Sequence, residues 1–218
     1  MLGTVADACR RVGRDPASVQ LVAVSKTVPV DRLTAAVAAG LTVLGENRVQ
    51  EAEAKVAALP GVSWHLVGRL QSNKARRAVE LFETIESVDS LDLAIRLDRL
   101  AAEVGRAPLT VYLQVNVDRD EAKAGFLPAS LAAELGLLAR LANLRLAGLM
   151  TVGRLAGSAE EARQTFVRLR ELSERLRSQD GGDALGDGLS MGMTDDYAVA
   201  VEEGATVIRV GRALFGER

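Results

Sequence analysis

The stretch LVAVSKTVP, from Leu21 to Pro29, decides the fold of this 218-residue chain. Its first four residues form an apolar run rich in β-branched side chains, which predicts a short buried strand that ends before the proline. Because side chains alternate along a strand, Val22, Val24 and Lys26 share one face. If the two valines point into a packed interior, Lys26 lies at its mouth. A partly desolvated lysine there is a candidate nucleophilic amine, whereas a lysine that merely follows a strand is a surface residue.

The composition is typical of a soluble globular protein, with 48% hydrophobic and 26% charged residues. A net charge of -2 argues against a polyanion binder, so no nucleic-acid partner is expected. The single cysteine, Cys9, excludes an intrachain disulfide, and no Cys/His pattern indicates zinc. The N-terminus lacks the apolar core of a secretory signal, and no apolar run reaches membrane-spanning length. We therefore expect a cytoplasmic protein with no membrane partner.

Strand-like runs alternate with amphipathic helical stretches along the whole chain. Strands are predicted at 19–25, 41–44, 62–68, within 81–87, and at 109–117, 144–150 and 206–211, with a short seventh strand and turn at 189–193. Helices are predicted at 2–14, 30–39, within 45–59, and at 72–80, 90–104, 129–141 and 158–178, followed by a helix capped by Thr194 and a last helical turn within 212–218.

This alternation predicts an α/β protein with a parallel sheet. Eight strands, each followed by a helix, indicate a closed (β/α)8 TIM barrel that forms one domain over 1–218, with an additional N-terminal helix. The alternative is an open doubly wound sheet, but no glycine fingerprint for a dinucleotide follows the first strand.

In a TIM barrel, functional groups collect at the C-terminal ends of the strands. The groups expected there are Lys26, Glu46, Asn47, His65 to Arg69, Asn116, Met150, Thr151, Ser190 to Met193 and Arg209 to Arg212.

The loops after strands seven and eight are the usual phosphate site of such a barrel. SMGM, at 190–193, offers a hydroxyl and a glycine turn, and Gly211 lets backbone amides approach an anion, although either glycine could serve only a tight turn. Arg209 has the same parity as Val207 and is predicted to point inward. A lysine and a phosphate cradle at one barrel mouth indicate pyridoxal 5'-phosphate (PLP), which brings an aldehyde for Lys26 and a phosphate for the cradle.

The chain resembles the pyridoxal phosphate homeostasis protein family, also called the YggS/PROSC or PLP-binding protein family. The stretches that match are LVAVSKTVP, LGENRVQEAEAK, WHLVGRLQSNKAR, LSMGMTDDYAVAVEEGATVIRVG and ALFGER. They follow one another in the family order over nearly the whole chain.

The resemblance implies a fold type III barrel like the N-terminal domain of alanine racemase. It implies an internal aldimine on Lys26, and a phosphate held by Ser190 and by the amides around Gly211 and Arg212. It also implies that Arg209 faces the pyridine nitrogen and that two further residues, Asn47 and Met193, lie near the ring. Arg212 replaces the small or hydroxyl residue that the family often has there, so a side-chain contact with phosphate would need its guanidinium.

The residues favour a carrier over an enzyme. An arginine beside the ring nitrogen disfavours its protonation, so the ring is a poor electron sink. Racemisation would need a second base, which in alanine racemases is a tyrosine from a β-domain. No β-domain follows the barrel within this chain, and neither Tyr112, in a strand, nor Tyr197, early in a helix, is an evident substitute. We expect a monomer that stores PLP and delivers it to PLP-dependent apoenzymes.

Two alternatives stay open: a weak amino-acid racemase, and a barrel that binds another phosphorylated metabolite without an aldimine. His65, the single histidine, is expected to be a packed strand residue. A basic cluster is expected to be a solvent-exposed helix face. The more specific alternative is a second anion site or a docking surface for enzymes that receive the cofactor. The members of the cluster are Arg69, Lys74, Arg76 and Arg77.

Overall fold

A computed structural model describes residues 1–153 and 157–216. Within these residues, parallel strands close into a barrel in the sequential order β1 to β8. The strands are β1 (Gln20–Val24), β2 (Val43–Glu46), β3 (Ser63–Leu66), β4 (Thr84–Val88), β5 (Leu109–Gln114), β6 (Leu144–Met150), β7 (Gly188–Ser190) and β8 (Val207–Val210).

Helices surround the barrel, and α1 precedes its first strand. They are α1 (Leu2–Arg11), α2 (Val30–Ala38), α3 (Val49–Ala58), α4 (Ala75–Leu81), α5 (Leu91–Glu103), α6 (Pro128–Leu138), α7 (Ala159–Arg177), α8 (Tyr197–Glu202) and α9 (Arg212–Phe215). Within the described ranges, 1–153 and 157–216, none of the helices has the length and apolar character needed to span a membrane.

The strand side chains divide into two sets, as alternation requires. One set fills the barrel interior with a small apolar cluster of Val22, Val43, Tyr112, Met150 and Val207. The other set packs outward against the helices in a larger aliphatic core. The pairing of β1 with β8 closes the barrel and places Val22 opposite Arg209.

The predicted (β/α)8 barrel is confirmed, and the differences lie at the ends of elements. β2 extends to Glu46, whereas the sequence predicted a strand to 44. β7 ends at Ser190, within the predicted short strand and turn at 189–193. The predicted cap at Thr194 is wrong because α8 begins at Tyr197. The Asp196 carboxylate accepts the Met193 N–H at 2.6 Å, which closes a turn before the helix. The last two residues of the predicted final turn, 217 and 218, lie outside the described residues.

The N-terminus of α5 offers a simple test of the local structure. Ser90 caps it, and its Oγ accepts the Leu93 N–H at 3.3 Å. We expect Ser90→Ala to cost about 1 kcal/mol, because one first-turn amide loses its acceptor. Thermal unfolding should show a decrease in Tm of about 2–4 °C. Ser130→Ala, at an exposed position within α6, should leave Tm unchanged or slightly raised, and an equal loss at both sites would contradict the capping role.

Candidate functional site

Lys26 lies at the mouth of the barrel, in the turn that follows β1. Val22 packs in the barrel interior, as the predicted strand face requires, and Lys26 is half-buried. The lysine lines a cavity of about 330 Å³, which we call the Lys26 cavity. The other residues of this cavity are Val24, Thr27, Val28, Arg32, Gly211, Arg212, Phe215 and Gly216.

Gly211 packs closely against β1 at this mouth. A Cβ at Gly211 would lie 3.1 Å from the Val24 carbonyl oxygen, which is tighter than an ordinary contact. Arg212 begins α9 directly afterwards, and the first-turn amides of a helix have no acceptor within it. The Arg212 side chain turns outward to an ion pair with Asp195. Lys26, the glycine and the backbone of Arg212 therefore meet on one cavity, as the barrel rule predicts.

Arg209 points into the barrel, as its parity with Val207 predicts, and is 5% exposed. Its Nη1 donates to Ser190 Oγ, and its Nη2 donates to the Thr151 carbonyl at 2.7 Å. Ser190 Oγ donates in turn to Glu86 Oε2 at 2.5 Å. A continuous chain of buried hydrogen bonds therefore holds the guanidinium.

This chain crosses the interior to β3. The other oxygen of Glu86, Oε1, lies 2.7 Å from His65 Nδ1, and both side chains are buried. We call His65, Glu86, Ser190 and Arg209 the interior network. His65 is thus a packed, hydrogen-bonded strand residue, as the sequence predicted.

The interior network explains the electrostatics of the barrel. Burial alone would raise the pKa of Glu86, but His65, Arg209 and the Ser190 hydroxyl outweigh it and leave that pKa below its ordinary value. Burial lowers the pKa of Arg209, and Glu86 and Asp196 oppose this effect. Burial raises the pKa of Tyr112 to about 12, with the Glu86 charge as the next cause.

Ser190 is engaged by this network on both sides of its hydroxyl. It donates to Glu86 and accepts from Arg209, and it does not line the Lys26 cavity. The residue is also fully buried in the barrel. A phosphate contact from this hydroxyl stays a prediction, and the geometry gives it another task, which is to orient Arg209.

The remaining two predicted site residues lie around the same mouth but outside the Lys26 cavity. Asn47 lines a neighbouring cavity of about 990 Å³, together with Gly68 and Lys74. A Cβ at Gly68 would lie 2.3 Å from the Asn47 carbonyl oxygen, so this glycine permits the close approach of two loops. Met193 is 39% exposed in the loop after β7. Their positions near a ring stay predictions.

The sequence did not predict the buried lysine, Lys55, that lies beneath the turn carrying Lys26. Lys55 is 6% exposed, and its Nζ donates to the Ser25 carbonyl at 2.7 Å and to Glu46 Oε1 at 2.6 Å. A signal was available, because Lys55 continues the buried face of α3 at the three-residue spacing of Val49 and Ala52. Glu46 was counted among the strand ends, but not as a partner of a buried lysine.

The predicted basic cluster is a set of surface ion pairs. Arg69 lies 3.4 Å from Asp89, Arg77 bonds to Glu53 and Glu80 at 2.8 and 2.9 Å, and Arg76 pairs with Glu103. Its three arginines are exposed, and Lys74 is half-buried beside Asn47. The solvated helix face is thus the interpretation that the geometry favours.

Comparisons with known proteins agree with this architecture. The family model described as alanine racemase, N-terminal domain, matches residues 5–218. The pyridoxal phosphate homeostasis protein of Pseudomonas aeruginosa is 44% identical over 218 residues, which cover 98% of this chain and 91% of that protein. The protein of the same name from Synechocystis sp. is 43% identical over 206 residues, which cover 93% of each.

Solved structures give the same result. PipY from Synechococcus elongatus PCC7942, solved with PLP bound, superposes with a TM-score of 0.86 at 47% identity, covering 97% of this chain and 100% of that chain. The structure of PipY without PLP gives a TM-score of 0.87 at 48% identity, with the same coverage. With a barrel of the alanine racemase type and this degree of identity over nearly its full length, the chain belongs to the pyridoxal phosphate homeostasis protein family.

Proposed function

We propose that this protein binds pyridoxal 5'-phosphate through Lys26 and acts in PLP homeostasis, storing and delivering the cofactor rather than turning over a substrate. The observation that carries the proposal is the Lys26 cavity, where a primary amine faces Gly211 and the start of α9. The names of the relatives and the PLP bound in PipY support it.

The residues present fit this cofactor. When bound, PLP supplies an electrophilic aldehyde, an electron-withdrawing ring and a phosphate. Lys26 provides the attachment point, and Gly211 lacks the Cβ that would press on Val24 and crowd the approach of a phosphate. The amides around Gly211 and Arg212 provide donors for the phosphate. In this proposal Ser190 acts by holding Arg209 toward the ring nitrogen, with Asn47 and Met193 beside the ring as the family resemblance implies.

Two tyrosines bear on the non-catalytic role. Tyr112 is buried and has a pKa of about 12, so it resists deprotonation and is a poor base at neutral pH. Tyr197 is the first residue of α8 and packs against the main core. Neither tyrosine therefore offers the second base that racemisation needs. The charge of Arg209 also disfavours protonation of a nearby ring nitrogen.

The wider role follows from the same proposal. We place the protein in the cytoplasm, as one domain over 1–218 that passes PLP to PLP-dependent apoenzymes. We also favour a monomer, since the strands within residues 1–153 and 157–216 close into a barrel and present no free sheet edge to a second copy.

The test uses the purified wild-type chain and stoichiometric PLP. We expect a visible absorbance band, and borohydride reduction should fix the cofactor to the peptide that contains Lys26, as read by mass spectrometry. The loaded protein should not racemise L-alanine, and it should restore activity to a PLP-dependent apoenzyme.

Three outcomes would count against parts of this proposal. Reversible binding without a reducible link would favour the barrel for another phosphorylated metabolite. Racemisation that depends on Lys26 would favour the enzyme. Failure to activate any apoenzyme would leave storage without delivery.

A further inference from the structure

The turn that carries Lys26 rests on a largely buried group of charges outside the barrel interior. This group, which we call the Lys55 cluster, consists of Glu46, Glu51 and Lys55. Glu46 has the parity of Leu44 and pairs in register with Leu66 on β3, and both leucines belong to the core between strands and helices. Glu46 therefore points toward α3 and away from the Lys26 cavity.

Lys55 uses all three of its hydrogen-bond donors, one on this turn and two on the carboxylates of the cluster. An ammonium has three donors, and Nζ has three acceptors: Ser25 O at 2.7 Å, Glu46 Oε1 at 2.6 Å and Glu51 Oε1 at 3.1 Å. The first acceptor is the carbonyl of the residue that directly precedes Lys26. The Ser25 hydroxyl adds a bond to Glu46 Oε1 at 2.6 Å. One peptide group of Lys26 is thus fixed by a buried cation.

The other peptide group of Lys26 is fixed by the same cluster. Glu51 Oε1 accepts the Thr27 N–H at 2.5 Å. Thr27 has φ +62°, a left-handed conformation that is costly for a β-branched residue and persists only when its surroundings hold it. Glu51 supplies that constraint, and Lys55 fixes Glu51 in turn.

We propose that the Lys55 cluster is a positioning device for Lys26: by clamping both peptide groups of this residue, it directs the amine at the carbonyl carbon of the ligand. The inference rests on the function proposed above and adds residues that lie outside the Lys26 cavity. It also explains why a lysine and a carboxylate, Lys55 and Glu46, are buried beneath a turn where an apolar contact would be less costly.

The test compares two ligands that differ only at the reacting carbon. PLP carries the aldehyde, and pyridoxine 5'-phosphate carries the same ring and phosphate with an alcohol in its place. A cluster that positions Lys26 matters for the first ligand and not for the second. We therefore expect Glu51→Ala to slow the formation of the borohydride-reducible complex with PLP about tenfold, as the loss of one hydrogen bond to a charged group predicts, and to leave the Kd of pyridoxine phosphate unchanged.

The chain offers a matched control on the same helix. Glu53 also lies in α3 and pairs with Arg77 at the surface, away from the Lys26 turn. Glu53→Ala should bind both ligands like the wild type. Lys55→Met is expected to have a larger effect on the reaction with PLP. It leaves Glu46 buried without a cation, so its binding data are interpreted only if circular dichroism shows that the variant folds. Glu51→Ala avoids this difficulty because the Glu51 side chain is 28% exposed.

Amide hydrogen exchange at Thr27 measures, without any ligand, how firmly Glu51 holds the peptide group between Lys26 and Thr27. We expect slow exchange in the wild type and in Glu53→Ala, and fast exchange in Glu51→Ala. Equal exchange in all three proteins would overturn the proposal, as would an equal loss of affinity for both ligands. If the wild type binds neither ligand, the proposed function fails, and the exchange at Thr27 still decides whether the cluster holds the turn.

Discussion

The Lys26→Ala variant is expected to lose all covalent attachment of PLP while it folds like the wild type. The amine is the sole group at this position that can link to the aldehyde, so no visible band should form and borohydride should fix no cofactor to this peptide. Folding should be preserved because the Lys26 side chain is partly exposed and has no hydrogen bond or ion pair within residues 1–153 and 157–216. Such a substitution usually changes stability by about 0.5 kcal/mol or less.

Two further variants make this result specific. Lys26→Arg keeps the positive charge but cannot form the link, so it should behave like the alanine variant in the labelling experiment. Lys74→Ala changes another half-buried lysine at the barrel mouth and should label like the wild type. Reducible cofactor that persists in both Lys26 variants would place the attachment on another lysine and would contradict the proposed site.

The part of the site that the sequence predicts is the part that depends on strand order alone. Once the alternation of strands and helices indicates a closed barrel, the ends of β1 and β8 must be neighbours, so Lys26 and Gly211 must lie close together. The inward direction of Arg209 follows equally from its parity with Val207. These features need only the period of the pattern and the closure of the sheet.

The part that the sequence does not predict depends on contacts across the barrel. Glu86 lies in a predicted strand and could have been taken for an outward-facing charge. Its partners are His65 on the neighbouring strand and Ser190 on the far side of the barrel, and no local pattern pairs them. The Lys55 cluster is similar, since it joins a strand end and a helix through one buried side chain. The spacing along α3 points to Lys55 itself, but the partners within both groups become visible only in the folded structure.

Glu86→Gln is expected to be strongly destabilising, because it removes the one buried carboxylate that faces Arg209 and His65 in the described structure. Breaking a buried ion pair by neutralising one partner typically costs about 3–5 kcal/mol. The variant should show a lower urea midpoint at pH 7 with an unchanged m-value. Glu80→Gln, which neutralises an exposed partner of Arg77, should cost about 0–1 kcal/mol and serves as the control.

The pH dependence of the stability difference between the wild type and Glu86→Gln tests whether the negative charge of Glu86 causes that difference. The pKa of Glu86 is lower in the folded protein than its ordinary value, which is about 4.3 in an unfolded chain. The unfolded state therefore binds more protons in acid, and the contribution of Glu86 is complete above the unfolded pKa and is lost as pH falls through the folded pKa. Glutamine has the shape of a protonated glutamate. The gap between the urea midpoints of wild type and Glu86→Gln should therefore be full at pH 6–7, begin to close below about pH 5, where the unfolded chain starts to bind the proton, and shrink further until the folded pKa is passed. A gap of constant size from neutral pH into strong acid would mean that packing, and not the carboxylate charge beside Arg209, makes Glu86 necessary.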